Sequence, residues 1–134
     1  MLRQRKPDGN QPNILLVESD AFLADIYEKN LLMEDFKVSK ATNGERAIKM
    51  LESKGADLVL LAVVLPKMNG FEVLSAIRSN VKTATIPVLM LSKLGTVDDV
   101  RKSRELGATG YIIKTHFMPS EIVEKIKRVL YNKK

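Results

Sequence analysis

The chain has 134 residues, which is enough for one domain with a single hydrophobic core and too few for two. Its composition of 45% apolar and 28% charged residues is typical of a globular protein, and no run of about 20 apolar residues predicts a membrane-spanning helix. The lack of cysteine excludes disulfides, thiolate metal ligands and a cysteine nucleophile. The basic, polar N-terminus does not resemble a signal peptide, so we expect a cytoplasmic protein with no membrane partner.

The net charge of +6 makes an acidic partner such as nucleic acid worth considering. Basic residues cluster near the N-terminus, around residues 101–104 and in the last predicted helix. Aromatic residues make up only 5% of the chain and no tryptophan is present, so no motif for stacking bases is evident. We therefore interpret the basic clusters mainly as solvated faces, and nucleic-acid binding is kept as an alternative.

Five short apolar segments alternate with five longer segments that carry apolar residues at helical spacing. The strands are predicted at residues 14–17, 37–41, 58–62, 87–91 and 110–113, and the helices at residues 21–34, 45–54, 70–78, 97–106 and 120–131. This alternation predicts a parallel α/β sheet with helices on both faces and the first strand buried in the middle. We expect residues 1–12 to be a basic, disordered leader and residues 13–134 to form the domain.

Capping residues support these helix positions. Asp20 opens the first helix and is expected to be its N-cap, and Asn43 stands before the second helix. Residues 119–121 are expected to cap the last helix. Gly107 is a candidate for a left-handed residue that ends the fourth helix.

The third predicted strand ends at Ala62 and is followed by a loop that contains Pro66 and Gly70. In an open α/β sheet, ligands and chemistry lie at the carboxyl ends of the strands. A reactive group is therefore expected where Ala62 stands, and alanine offers only a methyl group.

Several segments, taken together, resemble a known family. They read ILLVESD at residues 14–20, LPKMNGFEVL at residues 65–74, IPVLMLS at residues 86–92, GA at residues 107–108 and GYIIK at residues 110–114. In this order and spacing they resemble the receiver domain of bacterial response regulators, in particular stand-alone, chemotaxis-regulator-like receivers, over about residues 13–130. The resemblance implies a flavodoxin-like, doubly wound sheet of five parallel strands in the order 2-1-3-4-5, with five helices.

In this family a histidine kinase transfers a phosphoryl group to an aspartate at the end of the third strand. Mg²⁺ is held by that aspartate, by an acidic pair after the first strand and by a backbone carbonyl, because this hard cation prefers oxygen ligands. The resemblance places Glu18 at the first acidic position and Ser19 at the second. It places Ala62 at the phosphoacceptor position and gives Val64 the backbone carbonyl.

The resemblance also implies three residues that contact the phosphoryl group or respond to it. Ser92 matches the hydroxyl position, Lys114 the lysine and Tyr111 the aromatic switch. His116, the only histidine, is expected to be an ordinary exposed loop residue.

Two of the required carboxylates are missing. Ala62 has no nucleophile, so a phosphoaspartate cannot form there. With Ser19 in the acidic pair, Glu18 and at most Asp20 would remain to face Lys114, and we interpret Glu18 and Lys114 as a residual ion pair. We therefore expect no cofactor, and Mg²⁺ binding that is weak at best.

These features predict a stand-alone receiver-like module of a two-component phosphorelay that is not an enzyme and acts by binding a protein. The partner is expected to be a histidine kinase or a downstream effector. It is expected to bind the face formed by the fourth helix, fifth strand and fifth helix, which we call the partner face. The predicted residues of the partner face are Leu94, Val97, Arg101, Arg104 and Tyr111.

Two alternatives remain open. The chain could be an ordinary phosphorylatable receiver that an engineered or recent change of aspartate to alanine at position 62 has locked off, although Ser19 argues against a single change. In the other alternative, the basic tail and last helix bind nucleic acid or another polyanion, and the receiver fold is the scaffold.

Overall fold

The structure is a computed structural model that describes residues 11–131. The strands are β1 (Asn13–Val17), β2 (Lys37–Ala41), β3 (Leu58–Ala62), β4 (Val88–Ser92) and β5 (Gly110–Ile113). The helices are α1 (Ala21–Met33), α2 (Gly44–Ser53), α3 (Gly70–Ser79), α4 (Val97–Glu105) and α5 (Pro119–Tyr131). Each predicted element is present, and each end lies within one residue of its predicted position.

All five strands form one parallel sheet in the order β2-β1-β3-β4-β5, which confirms the predicted topology. Val17 of β1 pairs with Leu61 of β3, Ala62 pairs with Leu91 of β4, and Ser92 pairs with Ile113 of β5. This register brings the ends of β1, β3, β4 and β5 to one edge of the sheet, which we call the carboxyl edge. The opposite edge, where the strands begin, is the amino edge.

The central strands are buried on both faces, which explains their continuous apolar runs. Leu15 and Leu61 belong to the core cluster that includes residues of α2 and α3. Ile14 and Leu60 belong to the cluster that includes residues of α1 and α5. Alternate residues of each strand therefore pack against different helix layers, as the period of a strand requires.

Helix caps confirm several local predictions. The Asp20 carboxylate accepts hydrogen bonds from the backbone N–H groups that begin α1, and the Asn43 side chain does the same for α2. Gly107 has a φ of +98°, as expected for the residue that ends α4. The predicted cap of α5 is corrected, because Pro119 is already the first helical residue, a position that suits proline. In the first turn of α5, the Glu121 carboxylate accepts a hydrogen bond from the backbone N–H of Met118.

Helix α1 buries less of its apolar surface than its spacing suggests. Ala24, Tyr27 and Leu31 are buried, whereas Phe22 is 73% exposed and Leu32 is also exposed. A helix on the outside of a sheet buries one stripe only, so apolar residues outside that stripe face solvent.

Contacts with the sheet begin at Pro12, which is buried and whose carbonyl accepts a hydrogen bond from the backbone N–H of Lys37 in β2. The boundary between leader and domain remains a prediction. Residues 1–10 of the predicted leader lie outside the described residues. Within residues 11–131, no helix is long and apolar enough to cross a membrane.

Candidate functional site

A cleft of about 580 Å³ opens at the carboxyl edge of the sheet, among the loops that follow β1, β3, β4 and β5. The structure brings most of the predicted site residues into its lining, namely Glu18, Ser19, Asp20, Ala62, Val64, Ser92, Leu94 and Lys114. Tyr111 and the α4 residues of the partner face lie outside this lining. The cleft coincides with the phosphorylation site that the resemblance implies, and the roles of its residues remain predictions.

The lining also contains residues that the sequence prediction missed, which are Leu23, Val63, Leu91, Lys93 and Asp99. Asp99 lies in the first turn of α4, and that turn begins at the carboxyl edge in any fold of this topology. The predicted strand order could therefore have indicated Asp99. The apolar lining residues Leu23, Val63 and Leu91 could not be predicted in this way, because they look like ordinary core residues in the sequence.

A buried ion pair occupies one side of the cleft. The Lys114 ammonium lies 3.3 Å from one carboxylate oxygen of Glu18, and Glu18 is only 4% exposed. The other carboxylate oxygen of Glu18 accepts a hydrogen bond of 3.1 Å from the backbone N–H of Asp20. The backbone N–H of Lys114 donates to the carbonyl of Ser92, which holds the lysine at the edge of the sheet. The predicted pairing of Glu18 with Lys114 is therefore confirmed as a contact.

The carboxylates around the cleft do not fit a divalent cation. Ser19 and Ala62 provide no carboxylate, and one oxygen of Asp20 is engaged in capping α1. Both oxygens of Glu18 already have partners. In the described part of the chain, no group of three or more histidine, cysteine, aspartate or glutamate side chains is arranged to hold a metal. Mg²⁺ requires several oxygen ligands in octahedral geometry, and this donor set does not supply them.

The loop after β3 folds back tightly on the end of the strand. The backbone N–H of Gly70 donates to the carbonyl of Val63 at 2.8 Å. A Cβ atom at position 70 would lie 2.2 Å from the carbonyl oxygen of Ala62, so only glycine fits this approach. The turn therefore fixes the backbone of Ala62, whose methyl group meets the cleft.

The loop after β4 links the cleft to the partner face. The Ser92 hydroxyl oxygen accepts a hydrogen bond of 3.3 Å from the backbone N–H of Leu94. The Tyr111 hydroxyl donates a hydrogen bond of 2.8 Å to the carbonyl of the same Leu94. A Cβ atom on Gly95 would lie 2.1 Å from the side chain of Ile113, so the loop also packs closely on β5. One short loop thus connects a cleft residue with Tyr111.

The predicted partner face is accessible. Leu94 is 68% exposed, and Val97, Arg101 and Arg104 are exposed on or before α4. The Arg101 guanidinium lies 3.8 Å from the Asp98 carboxylate, and both side chains are largely in solvent, so this pair contributes little stability. The binding role of these residues remains a prediction.

Most of the net positive charge lies outside the described residues. Five of the 22 basic residues (Arg3, Arg5, Lys6, Lys133, Lys134) and one of the 16 acidic residues (Asp8) belong to residues 1–10 and 132–134. The described residues therefore carry 17 basic and 15 acidic side chains, which is close to balance. This distribution does not favour a polyanion-binding surface on the folded domain.

The electrostatic field near the start of α1 is negative. Burial, followed by the charges of Glu18 and Asp20, raises the pKa of the Tyr27 phenol above its usual value. His116 is exposed in the turn between β5 and α5, as predicted. Neither residue belongs to the lining of the cleft.

Comparisons with known proteins identify the family. The model of the response regulator receiver domain matches residues 14–127. The chain belongs to the response regulator receiver domain family, whose members are signalling modules of two-component systems.

Solved structures agree with this assignment. A putative response regulator from Chloroflexus aurantiacus is 29% identical, with a TM-score of 0.85, over 90% of this chain and 98% of that structure. The chemotaxis response regulator CheY4 of Vibrio cholerae is 25% identical, also with a TM-score of 0.85, over 90% of this chain and 100% of that structure.

Curated relatives are longer than this chain. A probable transcriptional regulator, ycf27 of Cyanidium caldarium, is 35% identical over 95% of this chain and 49% of the relative. The DNA-binding dual master transcriptional regulator RpaA of Synechocystis is 34% identical over 88% of this chain and 47% of the relative. The chain thus spans about half the length of the curated relatives it matches.

Proposed function

We propose that this receiver domain signals without being phosphorylated, by binding a protein partner. The observation that carries this proposal is Ala62, which lies at the carboxyl end of β3 with its methyl group in the cleft. A phosphoryl group needs a nucleophilic oxygen, and an alanine side chain supplies none. The proposal includes a cytoplasmic location and no enzymatic activity.

The rest of the cleft supports the same conclusion. Phosphoryl transfer in this family depends on Mg²⁺, and the carboxylates here do not fit that ion. Lys114, which would contact phosphoryl oxygens in a typical member, is instead engaged with the buried carboxylate of Glu18. The ion pair balances the two charges inside the protein, so a phosphoryl group would have to compete with Glu18 for the ammonium of Lys114.

The partner is proposed to be a histidine kinase or a downstream effector of a two-component system. Exposed Leu94 and Val97, together with Arg101 and Arg104, offer an apolar centre with a charged margin. The contacts of Leu94 with Ser92 and Tyr111 connect this face to the cleft. A partner that binds the loop after β4 would therefore stabilise one arrangement of the cleft without any phosphate.

Intact-mass measurement after incubation with acetyl phosphate and Mg²⁺ tests the loss of phosphorylation. The protein is compared with its Ala62→Asp variant and with the Ser19→Asp/Ala62→Asp variant. We expect no phosphoryl adduct on the protein itself, and an adduct only when both carboxylates are restored. A phosphoryl adduct on the unaltered protein would overturn the proposal.

The second candidate function is an ordinary receiver locked off by a single change at position 62. The placement of Ser92 and Lys114 beside Ala62 in one cleft favours this candidate. It predicts that Ala62→Asp alone regains Mg²⁺-dependent phosphorylation. The same mass measurement therefore separates the two candidates.

Charge reversal tests the partner face. Histidine kinases and effector proteins from the same organism are titrated with the protein and with its Arg101→Glu/Arg104→Glu variant, using biolayer interferometry. We expect a partner whose affinity is insensitive to acetyl phosphate and falls about five-fold or more in the variant, with a nearly unchanged melting temperature. Arg46→Glu changes an exposed residue of α2, is the matched control and should bind normally. Equal binding by all three proteins would show that the face is wrong.

The polyanion alternative has no support from the described residues, which are nearly balanced in charge. It would rest on the terminal basic residues. Nucleic-acid affinity that falls steeply with salt, and that disappears when residues 1–10 are deleted, would support this alternative.

A further inference from the structure

The cleft at the carboxyl edge has the size and lining of a small-molecule site. Its volume of about 580 Å³ falls within the range of roughly 300–1,000 Å³ that is usual for ligand pockets. Most of its exposed lining is apolar, and Leu23, Val63 and Leu91 are among the residues that line it. Ala62, at the position where the family carries a carboxylate, belongs to the same lining and offers only a methyl group.

The mouth of the cleft is also apolar. Val64 is 78% exposed and Leu94 is 68% exposed, and both belong to the lining. These two side chains stand on the loops after β3 and β4, and no residue in 11–131 covers them. A ligand held between the two loops would remove this apolar surface from water.

The charges that line the cleft disfavour an ionic ligand. The ammonium of Lys114 is paired with Glu18, so an anion would have to compete with a buried carboxylate. An anion would face Asp20 and Asp99 as well as the ammonium of Lys93, and carboxylates outnumber ammonium groups three to two in the lining. A metal cation does not fit, because both oxygens of Glu18 and one oxygen of Asp20 are engaged, and no three acidic or histidine side chains in residues 11–131 are arranged to hold one.

Two hydrogen-bond donors are available to a neutral ligand. The Ser92 hydroxyl oxygen accepts from Leu94, and among the described residues its proton has no acceptor. The Lys114 ammonium has three N–H groups, of which one is directed to Glu18. Both residues line the cleft, so an acceptor atom on a ligand can meet a donor there.

We propose that this cleft binds a small, uncharged, mainly apolar molecule that carries one hydrogen-bond acceptor, such as a ketone oxygen, directed at Ser92 and Lys114. The apolar part of the molecule lies against Ala62 and Val63 and between Val64 and Leu94. Binding at this site does not depend on a protein partner. The inference therefore goes beyond the proposed function and is tested independently of it.

A titration with 1-indanone, followed by two-dimensional ¹H–¹⁵N NMR, tests the inference on the full chain. We expect saturable shifts of amide signals around the cleft, including those of Val63 and Lys93. Indane has nearly the same shape and lacks the carbonyl oxygen, so it serves as the matched ligand. The ketone should bind about five-fold more tightly than indane, and Ser92→Ala should reduce that preference.

Two exposed valines provide matched variants that should not affect folding. Val64→Asp places a charge in the mouth of the cleft and should weaken 1-indanone binding about five-fold or more. Val81→Asp makes the same change at a residue that is 92% exposed in the loop between α3 and β4, and should leave binding unchanged. Shifts that are absent, that are unaffected by Val64→Asp, or that are equal for indane and 1-indanone would overturn the inference. The acetyl phosphate experiment decides the proposed function whichever result is obtained here.

Discussion

The two edges of the sheet use their polar groups in different ways. At the amino edge, the Arg78 guanidinium donates hydrogen bonds to the carbonyls of Gly107, Ala84 and Ile86, at 2.9, 3.1 and 2.7 Å. One side chain of α3 thus ties together the segments that lead into β4 and β5. At the carboxyl edge, the charged residues Glu18 and Lys114 pair with each other on one side of the cleft.

Other contacts strengthen this difference. At the amino edge, the Asp57 carboxylate accepts from the backbone N–H of Asn13, and the Thr109 hydroxyl accepts from that of Val88. At the carboxyl edge, the apolar side chains of Phe22, Val64 and Leu94 are exposed. At the amino edge, these side chains tie neighbouring strands together through their backbone groups. At the carboxyl edge, polar side chains cap helices or line the cleft, and large apolar side chains are exposed beside them.

The largest expected effect comes from breaking the ion pair at the carboxyl edge. Lys114→Met should lower the free energy of unfolding by about 3–5 kcal/mol, because Glu18 is left as an unpaired charge in a buried position. Urea denaturation measures this change. The Glu18→Gln/Lys114→Met double variant should recover most of the loss, since it removes both charges. A single variant that loses less than about 1 kcal/mol would show that water screens the pair.

The next effect tests the amino edge. Arg78→Ala should lower the free energy of unfolding by about 2–3 kcal/mol, because three backbone carbonyls lose a charged donor. Urea denaturation again gives the value, and NMR signals of the cleft should keep their positions. Arg46→Ala, an exposed arginine of α2, should change stability by less than about 0.5 kcal/mol. Equal losses of unfolding free energy in the two variants would contradict the structural role assigned to Arg78.

A smaller effect distinguishes a capping role from a ligand role for Asp20. Asp20→Ala should cost about 1 kcal/mol of unfolding free energy, because the N–H groups of Phe22 and Leu23 lose their acceptor. Asp20→Asn keeps an equivalent cap and should cost almost nothing, as measured by thermal unfolding. A large loss in the asparagine variant would mean that the negative charge itself matters at this edge.

The smallest effect concerns alkaline pH. The pKa of Tyr27 is raised in the folded protein by burial and by the charges of Glu18 and Asp20. As the pH rises past about 10, the unfolded chain therefore releases this proton before the folded protein does, and stability falls until the pH exceeds the raised pKa. Unfolding free energies measured across this range should fall less steeply for Tyr27→Phe.

Lys127 provides a check on that experiment. Its pKa is also raised, mainly by a hydrogen bond with Glu34. Its contribution to stability is therefore also lost as the pH rises. Because Lys127 is present in both proteins, the difference between the two pH curves isolates Tyr27. Identical curves would contradict the effect of burial on the phenol.

The sequence by itself determined the elements, their order and the missing carboxylates. The apolar run of β1, the cap at Asn43 and the left-handed Gly107 are local features whose chemistry acts within a few residues. Together with the family resemblance, they predicted every strand and helix to within one residue. Ala62 could be located at a strand end because strand length and the following turn are also local.

Only the tertiary structure decided which side chains share the cleft and how they pair. Leu23 and Leu91 look like core residues in the sequence, and only the fold places these residues of α1 and β4 in the lining of one cleft. The hydrogen bond from Tyr111 to Leu94 joins β5 to the loop after β4, across 17 positions of the chain. The exposure of Phe22 depends on which stripe of α1 the sheet covers. Contacts of this kind depend on how elements pack against each other, and no periodicity within a single element encodes them.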